Sequence, residues 1–409
     1  MSEKQMIKCG IDKNTLKRVD TLDEIINSTP NMVLAQVLRA CTITIGGHPI
    51  KCLKDSVLTM PYNYYLDSKK GVGGVTILKP YRKKFKQVFK RYRGQDLTNK
   101  KLLIWRTGGL GDLMFIQPLI RYIKARYLNV KITLATGPHQ VSLLMDWPQN
   151  LLDGVLLVPF DKKFLDGHDY HLSFEGAIER CNESRNKNYF DIFKTVANLD
   201  FNIKEFPPIL EPNEQAVQMA ADIVPKNTVL LQMRSSTAIK NMSGPKWKEV
   251  IGGLLDNGFN VGVIDMQKHA HVYEELLGSF GFDRTKVINY AAYSKTVNHG
   301  IAILANCVGL IGVDSSFTHF AAAINKPIVT IYGPFPGDLT LKYYDNSIAI
   351  EPDGWNECGK HPCLYSGREE HNCPSIKNKE LPACIDSIDT DKIVKSFLYV
   401  KESMIETSG

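Results

Sequence analysis

A chain of 409 residues is long enough for two or three domains with substantial cores, and 44% hydrophobic with 23% charged residues excludes a disordered or fibrous protein. No uninterrupted apolar run is long enough for a membrane span, and Met1–Gly10 lacks the apolar centre of a secretory leader. A cytoplasmic protein is expected, in which nine cysteines are free or metal-bound rather than paired. The net charge of +7 is local: between Lys79 and Lys101 stand ten bases and the single acid Asp96, so this segment carries +9 and the remaining chain −2.

Residues 1–100 form a prefix of mixed character. Leu22–Ile26 and Met32–Ala40 read as short helices, and Thr42–Ile45 with Ile50–Leu53 as a hairpin turning at Gly46–Gly47. Gly71–Gly74 marks a turn. In Lys83–Arg93, the spacing of Phe85, Val88, Phe89 and Tyr92 predicts an amphipathic basic helix whose apolar stripe docks on the body of the protein. Solvated faces usually mix both signs, so a patch of one sign points to an anionic partner.

From Lys101 strands and helices alternate. Leu102–Trp105 is a strand, followed by the glycine turn Gly108–Gly109–Leu110–Gly111–Asp112 and a helix to about Tyr127, then the strand Val130–Ala135. Pro207, Pro208 and Pro212 mark a linker. A second series carries strands at Thr228–Gln232, Val261–Ile264, Val287–Tyr290, Leu310–Val313 and Ile328–Tyr332. Its helices centre on Trp247–Leu255, Val272–Phe280, Val297–Ala305 and Phe317–Ile324. The expected organisation is an accessory region over residues 1–100, with the basic segment 79–101, then Rossmann-like domains over 101–212 and 213–409. Two doubly wound α/β domains facing a cleft bind ligands at the carboxyl ends of their strands. A helix over Thr390–Lys401, capped by Asp389–Thr390–Asp391, closes the chain.

Four places can carry chemistry. Gly108, Gly109 and Gly111 before Asp112 form a glycine turn after a strand, most often a dinucleotide fold, in which Asp112 by itself reads as a helix cap. A dinucleotide site would need an acid after the second strand, where Leu134–Ala135–Thr136–Gly137 stands instead. The loop Gln232–Lys240 follows a strand and precedes a helix, and its Arg234 and Lys240, with Lys246 beyond, are candidate cations where a single loop lysine is usually solvated. Asp314, Ser315 and Ser316 open a helix whose free N–H groups favour phosphate, although the serines could simply cap it. Cys358, Cys363, Cys373 and Cys384, separated by four, nine and ten residues, suit a structural thiolate site; with four thiolates no open position remains for catalysis. No Asp-x-Asp pair stands where a metal-dependent transferase would need one.

Asp314, Ser315, His319, Ala321, Ala322 and Lys326–Pro327 together resemble the donor-binding signature of the ADP-heptose-type heptosyltransferases of lipopolysaccharide assembly, glycosyltransferase family 9; Ser316 replaces the usual Gly. Arg106–Thr107–Gly108–Gly109–Leu110–Gly111–Asp112 with Pro118 resembles the opening motif of the same family. The resemblance covers Lys101 to the C-terminus. It implies the GT-B fold, Asp112 as catalytic base, Lys240 on the donor pyrophosphate, and donor contacts from Ser236, Thr237, Asp314, Ser315, Ser316 and His319. The cysteine segment 358–384 is similar to the Cys-rich finger of autotransporter heptosyltransferases, which binds iron, though the spacing differs; zinc and iron stay open here.

The implied function is an inverting, metal-independent transfer from a nucleotide sugar, ADP-linked by preference, to an anionic acceptor such as lipopolysaccharide core or protein. Gly108, Gly109, Gly111, Lys83, Lys84, Lys90 and Arg91 are the expected acceptor contacts. A phage-type enzyme glycosylating hydroxymethylated DNA is one alternative, since Lys and Arg interleaved with Tyr81, Phe85, Phe89 and Tyr92 suit phosphates and bases. A non-catalytic binding or assembly protein on the same scaffold is another. The expected location is the cytoplasm, at the inner membrane face for a lipopolysaccharide acceptor or in a phage's host; oligomeric state is open.

Overall fold

The computed structural model describes residues 32–38, 40–45, 48–54, 56–61, 78–80, 90–161, 163–179, 182–353, 358, 363 and 373–408. The expected helix at Leu22–Ile26, the turn at Gly71–Gly74 and residues 83–89 of the expected basic helix over Lys83–Arg93 lie outside them, as do the turn residues Gly46 and Gly47; the described end of that helix, residues 90–93, is not helical and bridges to His171 through Arg91 instead. The chain divides into two compact units, one of residues 1–141 and 149–206, the other of 142–148 and 207–409.

The first unit opens with β1 (Met32–Val37), β2 (Cys41–Ile45), β3 (His48–Cys52), β4 (Val57–Pro61) and β5 (Leu78–Pro80). Met32–Ala40, expected as a helix, is instead the strand β1. Its Ala35 and Val37 alternate inward and are fully buried, and it pairs antiparallel with β4 on one side and β5 on the other. Period-two burial between partners overrides the helix propensity of a short Leu-Ala-Gln run. β2 and β3 pair antiparallel as expected.

A parallel sheet follows from β6 (Lys101–Trp105), β7 (Lys131–Thr136), β8 (Gly154–Leu157) and β10 (Tyr170–Ser173), ordered β10-β6-β7-β8. Between β8 and β10, the short β9 (Phe160–Asp161) returns to β4 and joins the antiparallel sheet. The prefix is therefore bound to this unit by a shared core: Ala35, Val37, Met60 and Leu78 pack with Leu103, Trp105, Ala135 and Phe160. Helix α1 (Leu110–Arg126) runs back from β6, and α2 (Tyr189–Ala197) packs against it through Phe115, Phe190 and Phe193.

The second unit is a six-stranded parallel sheet. Its strands are β11 (Thr228–Gln232), β12 (Asn260–Val263), β13 (Val287–Asn289), β14 (Gly309–Val313), β15 (Ile328–Ile331) and β16 (Ser347–Ile350). The order β13-β12-β11-β14-β15-β16 makes the chain reverse direction between β11 and β14. Both β11 and β14 are buried along their whole length, as continuous apolar strands covered on two faces should be. Helices α3 (Glu214–Ala221), α4 (Gly244–Asp256), α5 (Ala270–Phe280), α6 (Val297–Asn306), α7 (Ser316–Ala323) and α8 (Thr390–Ser408) accompany the sheet. Trp247, Val250, Ile251 and Leu254 of α4, with Ile393, Val394 and Phe397 of α8, fill the core on one face.

Each parallel sheet has a place where neighbouring strands lead their connections in opposite directions: between β6 and β10 in the first unit, and between β11 and β14 in the second. Crevices form beyond the carboxyl ends of such strands. Both candidate sites fall there.

Candidate functional site

In the first unit, β6 ends at Trp105, and Arg106 follows with only 1% of its surface exposed. Its guanidinium is held from several sides. Nη2 lies 2.7 Å from Asp112 Oδ2 and 2.6 Å from Glu179 Oε1. Nη1 donates to the Phe174 carbonyl at 3.0 Å and to Glu179 Oε2 at 3.2 Å, and the Phe193 ring lies 5.7 Å away. Glu175 accepts from the Thr107 N–H. One buried cation therefore faces three carboxylates, from α1 and from the segment after β10.

Asp112 is the third residue of α1, and its Oδ2 accepts from the Gly109 N–H at 2.5 Å. The capping role and a chemical role thus coexist in one side chain, which stays 20% exposed. Burial raises the Asp112 carboxyl above its ordinary range, against the lowering effects of Arg106 and the Gly109 N–H. Burial likewise raises Glu175. Burial also acts upward on Glu179, but the charge and hydrogen bonds of Arg106 outweigh it and hold that carboxyl low, as its greater exposure favours. Gly108 has a particular reason to be glycine: a Cβ there would collide with Asp112 Oδ2 and stand 2.5 Å from Arg106 Nη2. The Gly108 and Gly109 carbonyls are anchored from outside by Gln140 Nε2, at 2.7 and 3.4 Å.

Of the expected acceptor contacts, Lys83 and Lys84 lie outside the described residues. Lys90 is exposed, and Arg91 forms a parallel bridge to His171 that extends β10 sideways. Burial and the neighbouring Arg93 lower Arg91, and burial beside Arg91 holds His171 neutral, with a pKa of about 4.

In the second unit, the loop after β11 and the start of α7 after β14 bring Lys240 and Asp314 together. Lys240 Nζ stands 2.5 Å from Asp314 Oδ2, with the two side chains 8% and 6% exposed. The Phe335 ring lies 5.4 Å from the same ammonium. Ser315 is the residue before α7, yet its hydroxyl makes no cap bond. That Oγ is buried and has no partner among the described residues. A polar atom held out of water without a partner costs about 1–3 kcal/mol, which an incoming acceptor group would offset. Ser316 is half-buried, Thr237 buried and Ser236 exposed. His319, on the next turn, is 3% exposed and shares a 3.1 Å contact between Nδ1 and the Tyr344 hydroxyl. Burial lowers its pKa to about 4, so it is neutral.

Lys326 belongs to the motif but serves the frame. Its Nζ donates to the carbonyls of Ala305 and Cys307 at 2.7 and 2.8 Å, closing the carboxyl end of α6. Cys373 is buried, Cys363 and Cys384 half-buried and Cys358 exposed. Burial pushes the Cys384 thiol up to about 11, with Cys373 and Cys358 acting in the same direction. Among the described residues no group of three or more side chains is drawn together as metal ligands. Arg106 was part of the motif but received no role, and Glu175 and Glu179 were not singled out. Arg106 stands two residues before the glycine turn, a usable signal; two glutamates in an irregular segment gave none.

Residues 177–368 match the family model described as Glycosyltransferase family 9 (heptosyltransferase). Over this segment the chain is similar to that family. The matched segment contains Glu179, Lys240, Asp314, Ser315, His319, Cys358 and Cys363; Asp112 precedes it. Among curated relatives, lipopolysaccharide heptosyltransferase 2 of Escherichia coli K12 is 27% identical over 94 residues, covering 23% of this chain and 27% of that protein. Lipooligosaccharide heptosyltransferase 2 of Haemophilus ducreyi is 31% identical over 100 residues, 24% and 28% of the two chains. The chain thus spans about a quarter to a third of the length of the curated relatives it matches.

Solved structures extend the likeness at the level of fold. ADP-heptose lps heptosyltransferase II of E. coli superposes with a TM-score of 0.57 at 15% identity, over 76% of this chain and all of that one. The iron-containing dodecameric glycosyltransferase TibC of enterotoxigenic E. coli superposes with 0.56 at 14% identity, over 91% of each chain. That coverage cannot be reached without residues of the first hundred. The mixed α/β architecture with parallel sheets is that of the GT-B heptosyltransferases. Among the described residues no helix is long and apolar enough to cross a membrane.

Proposed function

We propose that the protein is an inverting glycosyltransferase that uses a nucleotide-sugar donor, ADP-heptose-like by preference, and an anionic acceptor carrying a free hydroxyl. The observation that carries this reading is the buried Lys240–Asp314 pair beside the unpartnered Ser315 hydroxyl at the start of α7, where the six-stranded sheet reverses. A diphosphate there would meet the free N–H groups and positive end of α7, the Ser315 and Ser316 hydroxyls and one ammonium held in place by Asp314. Ser236 and Thr237, on the same loop as Lys240, and His319 complete the donor contacts.

Asp112 acts as general base. The acceptor hydroxyl passes its proton to the carboxylate as its oxygen attacks the anomeric carbon, and the bond from that carbon to the diphosphate oxygen breaks on the opposite face. Negative charge grows on the departing diphosphate, and Lys240 with the α7 terminus stabilises it there. A fixed cation supplies what a divalent metal supplies in other transferases. Gly108, Gly109, Gly111, Lys90, Arg91 and the basic segment through Lys83 and Lys84 serve the acceptor, for which lipopolysaccharide is the candidate named by the relatives' titles.

The cysteines Cys358, Cys363, Cys373 and Cys384 would hold a structural metal, iron by analogy with the TibC title or zinc, tying the segment before α8 to the second unit. Four thiols within 27 positions, with Cys373 buried, support this reading.

A thermal-shift screen of ADP-, GDP-, UDP- and CDP-linked sugars tests the donor. ADP-heptose should raise the melting temperature without added metal, and Asp112→Ala should abolish turnover while sparing that shift. Transfer undiminished in Asp112→Ala removes the base from the mechanism.

A further inference from the structure

We infer that Arg106 is the positioning residue of Asp112, and that Glu179, by sharing one guanidinium nitrogen with it, sets how much of that charge the Asp112 carboxylate feels. The proposal deepens the reading of Asp112 as base and rests on it. Arg106 opens the motif around Asp112 without a role assigned to it, and Glu179 stands in neither motif.

The geometry is specific. Arg106 Nη2 is a single donor group contacted by two acids from different segments, Asp112 Oδ2 at 2.7 Å and Glu179 Oε1 at 2.6 Å. Its Nη1 is committed to the Phe174 carbonyl and the second Glu179 oxygen. The guanidinium is buried and its plane is fixed by the planar fork, so it cannot swing toward one acid without leaving the other. Among the described residues both fixed contacts of Asp112, from Arg106 and from the Gly109 N–H, fall on Oδ2. Oδ1 is thereby left as the oxygen that takes a proton.

Arg106 from the end of β6 and Glu179 from the segment after β10 act on Asp112, Glu175 from the same segment acts on Arg106 and Glu179, and α2 brings the Phe193 ring to the guanidinium. Three carboxylates against one guanidinium leave an excess of negative charge in a largely buried cluster. Like charges crowd the carboxylate toward its protonated form, and the cation opposes them. Glu179 is the one member of the cluster that is substantially exposed, at 47%. Its protonation, or its engagement by a cationic or hydrogen-bonding ligand, would release the guanidinium to Asp112. Gly108 guards the contact from the other side, because any side chain there displaces Asp112 from Arg106.

Two substitutions in the full-length chain move the balance in opposite directions. Asp-selective 13Cγ labelling, with the Asp112 resonance identified by its loss in Asp112→Asn, reads the Asp112 titration without any substrate. Glu179→Gln keeps the shape and an acceptor oxygen but removes a like charge, so the Asp112 midpoint should fall by about half a pH unit or more. Gly108→Ala pushes the carboxylate off the guanidinium, so the midpoint should rise by at least as much. An unmoved or raised midpoint in Glu179→Gln, in a chain whose circular dichroism is unchanged, overturns the proposal whether or not Gly108→Ala folds. ADP-heptose turnover in Asp112→Asn separates the two levels. Persisting turnover removes the base and leaves the positioning intact, whereas lost turnover with an unmoved midpoint overturns the proposal and leaves Asp112 as the base.

Discussion

Replacing Lys240 by Met is the sharpest test of how the second unit's site is built. The Lys240 and Asp314 side chains are 8% and 6% exposed, and their charged atoms lie 2.5 Å apart. Removing one partner of a buried pair leaves the other as an uncompensated charge, at a cost of about 3–5 kcal/mol. For a unit of this size each kcal/mol moves the melting temperature by about 2–4 °C, so Lys240→Met should melt about 6–20 °C lower. Adding Asp314→Leu removes the stranded carboxylate and its desolvation cost, so the double variant should recover at least half of that loss. ADP affinity should not recover, because the cation is absent from both. Calorimetric melting and titration with ADP read the two effects separately. A single variant melting within about 2 °C of the parent, or a double variant no more stable than it, refutes the reasoning.

Four further outcomes are expected. Ser315→Ala removes a buried hydroxyl without a partner, so stability to urea should hold or rise by up to about 1–3 kcal/mol while ADP binding weakens about tenfold; a large stability loss with unchanged binding would make Ser315 a structural residue. His319 has a pKa of about 4 when folded and about 6.5 when unfolded, so the unfolded chain binds more protons between those values. Stability should therefore fall by up to about 3 kcal/mol as pH drops from 6.5 to 4, and denaturation curves of His319→Gln should lack that part of the slope. Lys326→Met uncaps two carbonyls at the end of α6 and should lower stability by about 1–3 kcal/mol with no change in ADP affinity, measured by the same melts and titrations. Native mass spectrometry of the purified chain should find one iron or zinc per protein, lost in Cys373→Ser; a metal-free parent chain would count against the structural site.

How far the residues announced this arrangement differs from place to place. The strands around Leu230, Leu310 and Ile328 are continuous apolar runs bounded by turn residues, so local pattern suffices to find them, and alternation with helices gives the parallel sheet. Met32–Val37 shows the opposite case: six residues of mixed propensity became a strand because β4 and β5 lie beside it with edges to satisfy. The pairing of Lys240 with Asp314 joins residues 74 positions apart, and a motif could name each without showing that they meet.

The sequence alone determined the alternating α/β pattern, the placement of Asp112 and Lys240 shortly after strands, and the clustering of thiols near residue 370. These are local properties: periodicity, glycine and proline placement, and the chemistry of neighbouring side chains. Tertiary structure alone decided that Arg106 would be buried between Asp112 and Glu179, that Lys326 would cap a helix rather than face a ligand, and that the Ser315 hydroxyl would be left without a partner. Burial and charge pairing depend on which distant segments share one space, and only the packed sheets fix that.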